Sequence, residues 1–480
     1  MSNAQSKSIN AFFWTFMNIF GVQVINFGAS IILARILLPA EFGLIGMISI
    51  FINIGNSLVD SGMTSSLIRT QNPDQKDYST VFFMNMLMSV IVYCIAYTTA
   101  PFLSDFYGQP ILTDLIRVYC LVFIISSFTI IQSTKLNKQM EFKKQLILNI
   151  PSLILGSAIG IYMAYSGFGV WSIVWMNLAY KFFGTVQLWF FSKWLPTFEF
   201  DMDRLKVHWL FGYKLTLSGL MNTLVSNVYN IIIGRFFSAA QLGFFIRAKS
   251  IQELPVVNIS NALNKVTYPL FAGIMDDDEK LKSVYSRLIQ QVFFWITPLM
   301  LIFIVIAEPF FRFLLTEKWV PAVPYFQILC LAGIVMPLNT YNLNILLVKG
   351  KSNHYLKLIS IKNALTVLGT LLVIPLGING LIWSLVIVAM LNFFINAHFC
   401  GRLINMNVWE QIRKIGPILL LSVTMALLTY VISIYIQDII NKDIFKILIP
   451  GTIGFAFYIG MAMVFKFPAL LELKGMLKKK

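Results

Sequence analysis

The sequence predicts an all-α integral membrane protein of about fourteen transmembrane helices, and three observations predict it. Hydrophobic residues make up 58% of the 480 and charged residues only 12%, whereas a soluble domain has roughly 45–50% and about 25%. Mean hydropathy is +0.75, and apolar runs of bilayer-spanning length, about 20 residues each, recur along the whole chain. Finally, the end of one such run is repeated two hundred positions later: Ile31–Gly46 reads IILARILLPAEFGLIG and Ile231–Ile246 reads IIIGRFFSAAQLGFFI.

The spans are expected near residues 11–34, 42–59, 81–104, 112–133, 146–165 and 168–191, then 209–234, 245–273, 284–307, 323–348, 354–376 and 380–401, and finally 412–437 and 444–465. The first six and the next six form the two copies of the repeat. Arg35 matches Arg235, Ala40 matches Ala240 and Gly43 matches Gly243; upstream, Asn18, Asn26 and Ser30 keep register with Ser218, Ser226 and Asn230. GFGVWSIV at Gly167–Val174 is echoed by GINGLIWSLV at Gly377–Val386, each opening the sixth helix of its half. The expected organisation is an N-terminal lobe over 1–195, a C-terminal lobe over 196–405, and two further helices with a basic tail over 406–480. Internal repeats of this kind are how many transporters are built, with lobes rocking about a central site.

Charge sets the orientation. Lys135, Lys138, Lys143 and Lys144 follow the fourth helix, Lys349, Lys351 and Lys357 the tenth, and Arg402, Arg413 and Lys414 the twelfth, with Lys466, Lys474, Lys478, Lys479 and Lys480 at the carboxyl end. Loops 165–168 and 377–379 hold no charge. The positive-inside rule therefore puts both termini in the cytoplasm. Most of the net charge of +16 is this signal plus attraction to anionic lipid heads; no basic soluble face is left for a nucleic acid. The first apolar run is too long for a cleavable signal peptide. Cys94, Cys120, Cys330 and Cys400 lie in apolar runs, without disulfide or zinc spacing.

Polar side chains within spans are costly and usually face a cavity or a partner helix. Ser49, Asn53, Asn56 and Asp60 share one narrow face of the second helix. Lys249, Glu253 and Ser260, with Asn264 nearby, occupy the matching stretch of the eighth, and Lys214, Ser218, Asn222, Ser226 and Asn230 form a ridge on the seventh. These helices, with the first, are expected to line one hydrated cavity. Helix-to-helix hydrogen bonding is the plainer role for any single Ser or Asn, and Arg35, Arg235 and Lys214 lie near enough to helix ends to snorkel. Arg247, Lys249 and Glu253 place three charges within seven residues of one span. Lys249 and Glu253 are spaced to pair, which leaves Arg247. With Lys181 and Lys362 also inside spans, cations outnumber the two acids at membrane depth, Asp60 and Glu253. That imbalance suits an anionic substrate, and arginine offers bidentate bonds to phosphate oxygens. Arg35, Lys214, Arg235, Arg247, Lys249, Asn53 and Asn222 are thus the candidate substrate-binding residues, and Asp60 and Glu253 the candidates for ion coupling.

Catalysis is not expected. Gly350-Lys351-Ser352 lacks the first glycine of a phosphate-binding loop because Ile345 stands there. His208, His354 and His398 show no metal spacing. The external loops near 105–111 and 308–322 offer only Asp105, Glu308, Arg312, Glu317 and Lys318, and Asp276–Glu279 reads as a solvated turn. No cofactor or metal is expected.

ARILLPAEFGLIG at Ala34–Gly46, GRFFSAAQLGFFIRAKSIQELP at Gly234–Pro255 and the polar seventh helix resemble the polysaccharide transporter family of the MOP flippase superfamily, and within it the Wzx-type exporters of colanic and teichuronic acid. The resemblance spans the first twelve helices. It implies two six-helix lobes in a V shape and the flipping of an undecaprenyl-pyrophosphate-linked oligosaccharide across the bacterial inner membrane, beside glycosyltransferases and a polymerase. A multidrug exporter of the same superfamily would need acids within the first lobe. A non-catalytic scaffold of an envelope assembly complex has no use for duplicated polar stripes.

Overall fold

The computed structural model describes residues 2–192 and 194–471. Every regular element in that range is helical, with eighteen α-helices, two short 3-10 turns and no strand. Among the described residues, ten helical stretches are long and apolar enough to cross a bilayer, and Phe20–Ile36 is a shorter apolar helix. Fourteen were expected. Of the others, the helix at 168–191 holds three Trp and Lys181, that at 209–234 is interrupted at Asn227, and that at 245–273 carries Arg247, Lys249 and Glu253. The chain divides into two compact units, Met1–Gly243 and Phe244–Lys480.

The first unit contains α1 (Ser2–Ile36), α2 (Pro39–Asp60), α3 (Met63–Arg69), α4 (Gln75–Tyr107), α5 (Leu112–Tyr119), α6 (Leu121–Lys138), α7 (Phe142–Tyr165), α8 (Trp171–Phe191), α9 (Met202–Ser226) and α10 (Val228–Phe236), and ends within the first turns of α11 (Ala239–Ala272). The duplicated motif forms two matching helix starts. At the head of α2 the Leu38 N–H donates to the Glu41 carboxylate at 2.6 Å. At the head of α11 the Ser238 N–H donates to Gln241 Oε1 at 3.1 Å, while Ser238 Oγ accepts from the Gln241 N–H at 3.2 Å. Helix N-termini leave backbone donors unpaired, and an acid or amide three residues on satisfies one of them. The two starts also cross. A methyl group on Gly43 would collide with the Ala239 carbonyl, and one on Gly243 with the Pro39 carbonyl. Ala239 and Pro39 are themselves equivalent positions of the repeat, so the contact is reciprocal.

The seventh expected helix is not one piece. It starts earlier, where Asp201 caps α9 by accepting from the N–H groups of Asp203 and Arg204, and it breaks at Asn227 before α10. At the break, Asn227 Nδ2 donates to the Thr223 carbonyl at 2.9 Å and its Oδ1 accepts from Asn230 at 3.1 Å. An asparagine side chain offers the backbone an alternative to the helical ladder, which is why such residues mark interruptions.

A polar knot ties α9 to α3 and α4. His208 is 2% exposed; its Nδ1 lies 2.8 Å from Ser66 Oγ and its Nε2 3.4 Å from Asp77 Oδ1. Arg204 bridges Asp74 and Asp77, each at 2.8 Å, and the bond to Asp77 raises its pKa above the ordinary value. Lys138 closes α6 onto the C-terminus of α3, donating to the carbonyls of Leu67 and Ile68 at 3.0 and 3.2 Å and to that of Thr70; a cation at the end of a helix also complements its dipole. Beneath lies an apolar cluster of Met63, Leu67, Tyr78, Val81, Phe82, Ile131 and Trp194. Gly62 and Gly212 let α9 press directly on the turn after α2, since a side chain on either would strike the other segment's backbone.

The second unit holds most of α11, then α12 (Asp278–Val305), α13 (Ala307–Leu315), α14 (Val323–Val348), α15 (Ser352–Leu372), α16 (Gly377–Leu403), α17 (Val408–Gln437) and α18 (Asp443–Val464). The buried Tyr285 hydroxyl sits 2.8 Å from Asn342 Oδ1 and 3.0 Å from Gln411 Oε1, joining α12, α14 and α17. Tyr458 of α18 donates to the Phe294 carbonyl of α12 at 2.9 Å, and Lys282 pairs with Glu410 at 3.0 Å. The last two helices therefore dock on α12.

Two predictions follow from these contacts. Gly43→Ala and Gly243→Ala should each cost about 1–3 kcal/mol, the usual price of overpacking, and lower the thermal midpoint of purified protein. Gly28→Ala, where a methyl group meets nothing, should leave the midpoint unchanged or raise it. Separately, His208→Ala strips partners from Ser66 and Asp77 and should cost about 1–3 kcal/mol, read as a lower midpoint and faster proteolysis at the turn before α4.

Candidate functional site

Within the first unit α2 and α9 pack together, and both carry exposed polar residues. Asn53 and Asn56 are exposed on α2, and Lys214, Ser218, Asn222 and Ser226 are exposed on α9. The contact of Gly212 with the Ser61–Gly62 turn sets the Lys214 turn of α9 beside the Asp60 end of α2. Asp60 is half-buried, and its Oδ1 has no hydrogen-bond partner. Ser49, by contrast, turns its hydroxyl back onto the Gly46 carbonyl at 2.8 Å.

The repeated arginines occupy matching places. Arg35 lies in the last turn of α1 and Arg235 in the last turn of α10, and both are exposed. The Arg235 guanidinium stands 5.2 Å over the Phe106 ring, a cation–π contact of the kind that orients a cation without neutralising it.

In the second unit the charges on α11 separate into two environments. Arg247 is 6% exposed, with its guanidinium 5.7 Å over the buried Trp319 ring. Lys249 and Glu253 are each about one-third exposed and pair at 3.8 Å, as their spacing predicts. Beside them Gln252 is buried, its Nε2 without a hydrogen-bond partner, and only the missing side chain of Gly333 leaves room for it. The side chain of Asn264 lies outside the described residues. Lys181 is exposed and Lys362 half-buried.

The first unit thus carries Asn53 and Asp60 on α2, Lys214 and Asn222 on the α9 that packs against it, and Arg35 and Arg235 at matching helix ends; the second unit carries Arg247, Lys249 and Glu253. Sequence reasoning missed Gln252 and the His208 knot. No periodic pattern signals Gln252, and the partners of His208 are 131 and 142 residues away. No group of three or more His, Cys, Asp or Glu able to hold a metal occurs among the described residues.

The chain is similar to several known proteins. Residues 32–324 match the family described as "Polysaccharide biosynthesis protein". The chain is 24% identical over 385 residues to the teichuronic acid biosynthesis protein TuaB of Bacillus subtilis, covering 78% of this chain and 79% of that one. It is 24% identical over 329 residues to the succinoglycan biosynthesis transport protein ExoT of Rhizobium meliloti, covering 68% and 67%. Among solved structures, the lipid II flippase MurJ in an inward closed conformation superposes with a TM-score of 0.75 at 11% identity, over 95% of this chain and 98% of that one; at that identity the likeness is one of fold. The fold is therefore that of a multi-pass membrane transporter. The family match covers more than half of the chain, both copies of the repeated motif included, and the chain belongs to the polysaccharide biosynthesis protein family.

Proposed function

We propose that the chain is a flippase that moves undecaprenyl-pyrophosphate-linked oligosaccharide repeat units across the bacterial plasma membrane by alternating access, for capsule, O-antigen or exopolysaccharide export. The observation that carries this reading is the set of exposed cations, Arg35, Lys214 and Arg235, in a unit whose exposed neighbours Asn53 and Asn222 are neutral hydrogen-bonding groups. Cations of this kind suit the pyrophosphate, and amides suit sugar hydroxyls. The polysaccharide pathways in the relatives' names and the MurJ fold support the same reading. Both termini lie in the cytoplasm, where glycosyltransferases supply the substrate; a polymerase consumes it outside.

Transport needs an energy source, and the chain carries no nucleotide-binding motif. Movement then draws on an ion gradient, the membrane potential or consumption of the product. Asp60 is the favoured ion-responsive group, because Glu253 is already held by Lys249 while one Asp60 oxygen lacks a partner.

Replacing Lys214 and Arg235 together by glutamine should lower surface polysaccharide in a flippase-deficient strain by about tenfold or more, since a hydrogen bond to a charged group contributes roughly 1.5–3 kcal/mol; membrane levels of the protein should not change. Arg247→Ala should lose export and also lower the thermal midpoint, because it uncovers Trp319. Full export by the double variant would overturn the substrate assignment. In reconstituted vesicles, Asp60→Asn should flatten the dependence of transport on an imposed proton or sodium gradient, and Glu253→Gln should change it less. A gradient response untouched by both leaves the two acids structural.

A further inference from the structure

A groove of about 850 Å³ opens in the first unit among α6, α7 and the end of α8, sharing none of the residues assigned above to transport. Its floor is Gln132, 1% exposed, whose amide nitrogen and oxygen both lack a hydrogen-bond partner. A buried amide left unsatisfied costs free energy, so a side chain kept in that state in the lining of an open groove points to a polar ligand. One turn along the same face of α6 is Lys135, its ammonium 4.9 Å over the Tyr78 ring and 5.5 Å over Trp194. Those two rings hold the cation at the end of the groove, and among the described residues it forms no ion pair. Lys144, at the opposite lip, is balanced by Glu141 at 2.6 Å. The groove therefore carries one net positive charge.

The other wall is apolar. Ile147, Leu148 and Pro151 of α7 face Leu188 and Phe191 at the end of α8, and Ile147 and Phe191 are 56% and 73% exposed. A cationic, hydrogen-bonding end next to an exposed aliphatic and aromatic wall, at the lysine-rich ends of two spanning helices, matches the two ends of a lipid at the membrane boundary. A soluble anion would have no use for the wall.

We propose that this groove is a binding site for an anionic phospholipid of the surrounding bilayer. The headgroup phosphate meets Lys135, the Gln132 amide donates to a phosphate or ester oxygen at the floor, and one acyl chain lies along Ile147, Pro151 and Phe191. The lipid is a resident of the wall of the unit, not transported cargo.

The test is native mass spectrometry of the full-length protein purified in detergent, titrated with phosphatidylglycerol and, in separate arms, with phosphatidylcholine, undecaprenyl phosphate and inorganic phosphate. Phosphatidylglycerol should be retained at one copy and phosphatidylcholine should not. Lys135→Met keeps the aliphatic stem over the rings and should weaken retention about fivefold, the contribution of one lysine near an anionic surface. Gln132→Leu should lose the retained lipid while the lipid-free protein becomes no less stable, because an unsatisfied amide has been removed. Ile147→Ser, at an exposed position that does not threaten folding, should also weaken retention. Equal retention of phosphatidylglycerol by native protein and all three variants would overturn the proposal. So would saturation by inorganic phosphate, which would make the site one for a soluble anion, or preference for undecaprenyl phosphate, which would make it part of the transport route.

Discussion

The architecture of the first unit depends on two helix starts approaching to backbone contact. In a membrane there is no hydrophobic force between helices, so close packing and hydrogen bonds must hold them. Gly43 against the Ala239 carbonyl and Gly243 against the Pro39 carbonyl supply that packing at the point where α2 and α11 begin. The capping bonds from Leu38 to Glu41 and from Ser238 to Gln241 fix the angle at which each helix sets out. Along α2 that geometry carries the exposed face bearing Asn53. At the other end of α2, the contact of Gly62 with Gly212 repeats the device.

The polar groups of the chain serve two different ends. Where they are buried and bonded to one another, as in His208 with Ser66 and Asp77 or Tyr285 with Asn342 and Gln411, they specify which helices meet, because a buried polar group is costly to leave without its partner. Where they are exposed on spans, as with Asn53, Asn222 and Lys214, packing does not use them and a ligand can. Gln132 belongs to neither group. It is buried like the first and unsatisfied like a binding site.

Much of this was legible in the sequence, and what was not has physical reasons. Helical class and the repeat are local signals, read from hydropathy and from residues in register. The pairing of Lys249 with Glu253 is equally local, a matter of one helical turn. The break at Asn227 was hidden because polar residues continue at steps of four through it, so the pattern of α9 looks uninterrupted. The charges on α11 could be listed but not sorted: nothing in the sequence says that Trp319, seventy-two positions on, lies under Arg247 and buries it. The start of α9 at Met202 could have been found, since Asp201 is a common capping residue ahead of a helix. Contacts over a hundred residues apart, such as those of His208, leave no trace in a single chain.

The crossing of α2 and α11 is isologous: the residue that touches in one copy is touched in the other, as at a two-fold interface between identical subunits. Between separate identical chains, every substitution at such an interface is made twice. Joined in one polypeptide, the two sides are free to differ, and they do. Pro39 corresponds to Ala239, and the carboxylate of Glu41 to the neutral amide of Gln241. The glycines, whose bare Cα atoms the crossing requires on both sides, are the same. The crossing therefore has symmetry in its backbone and asymmetry in its charge: one helix start carries a carboxylate where the other carries a neutral amide.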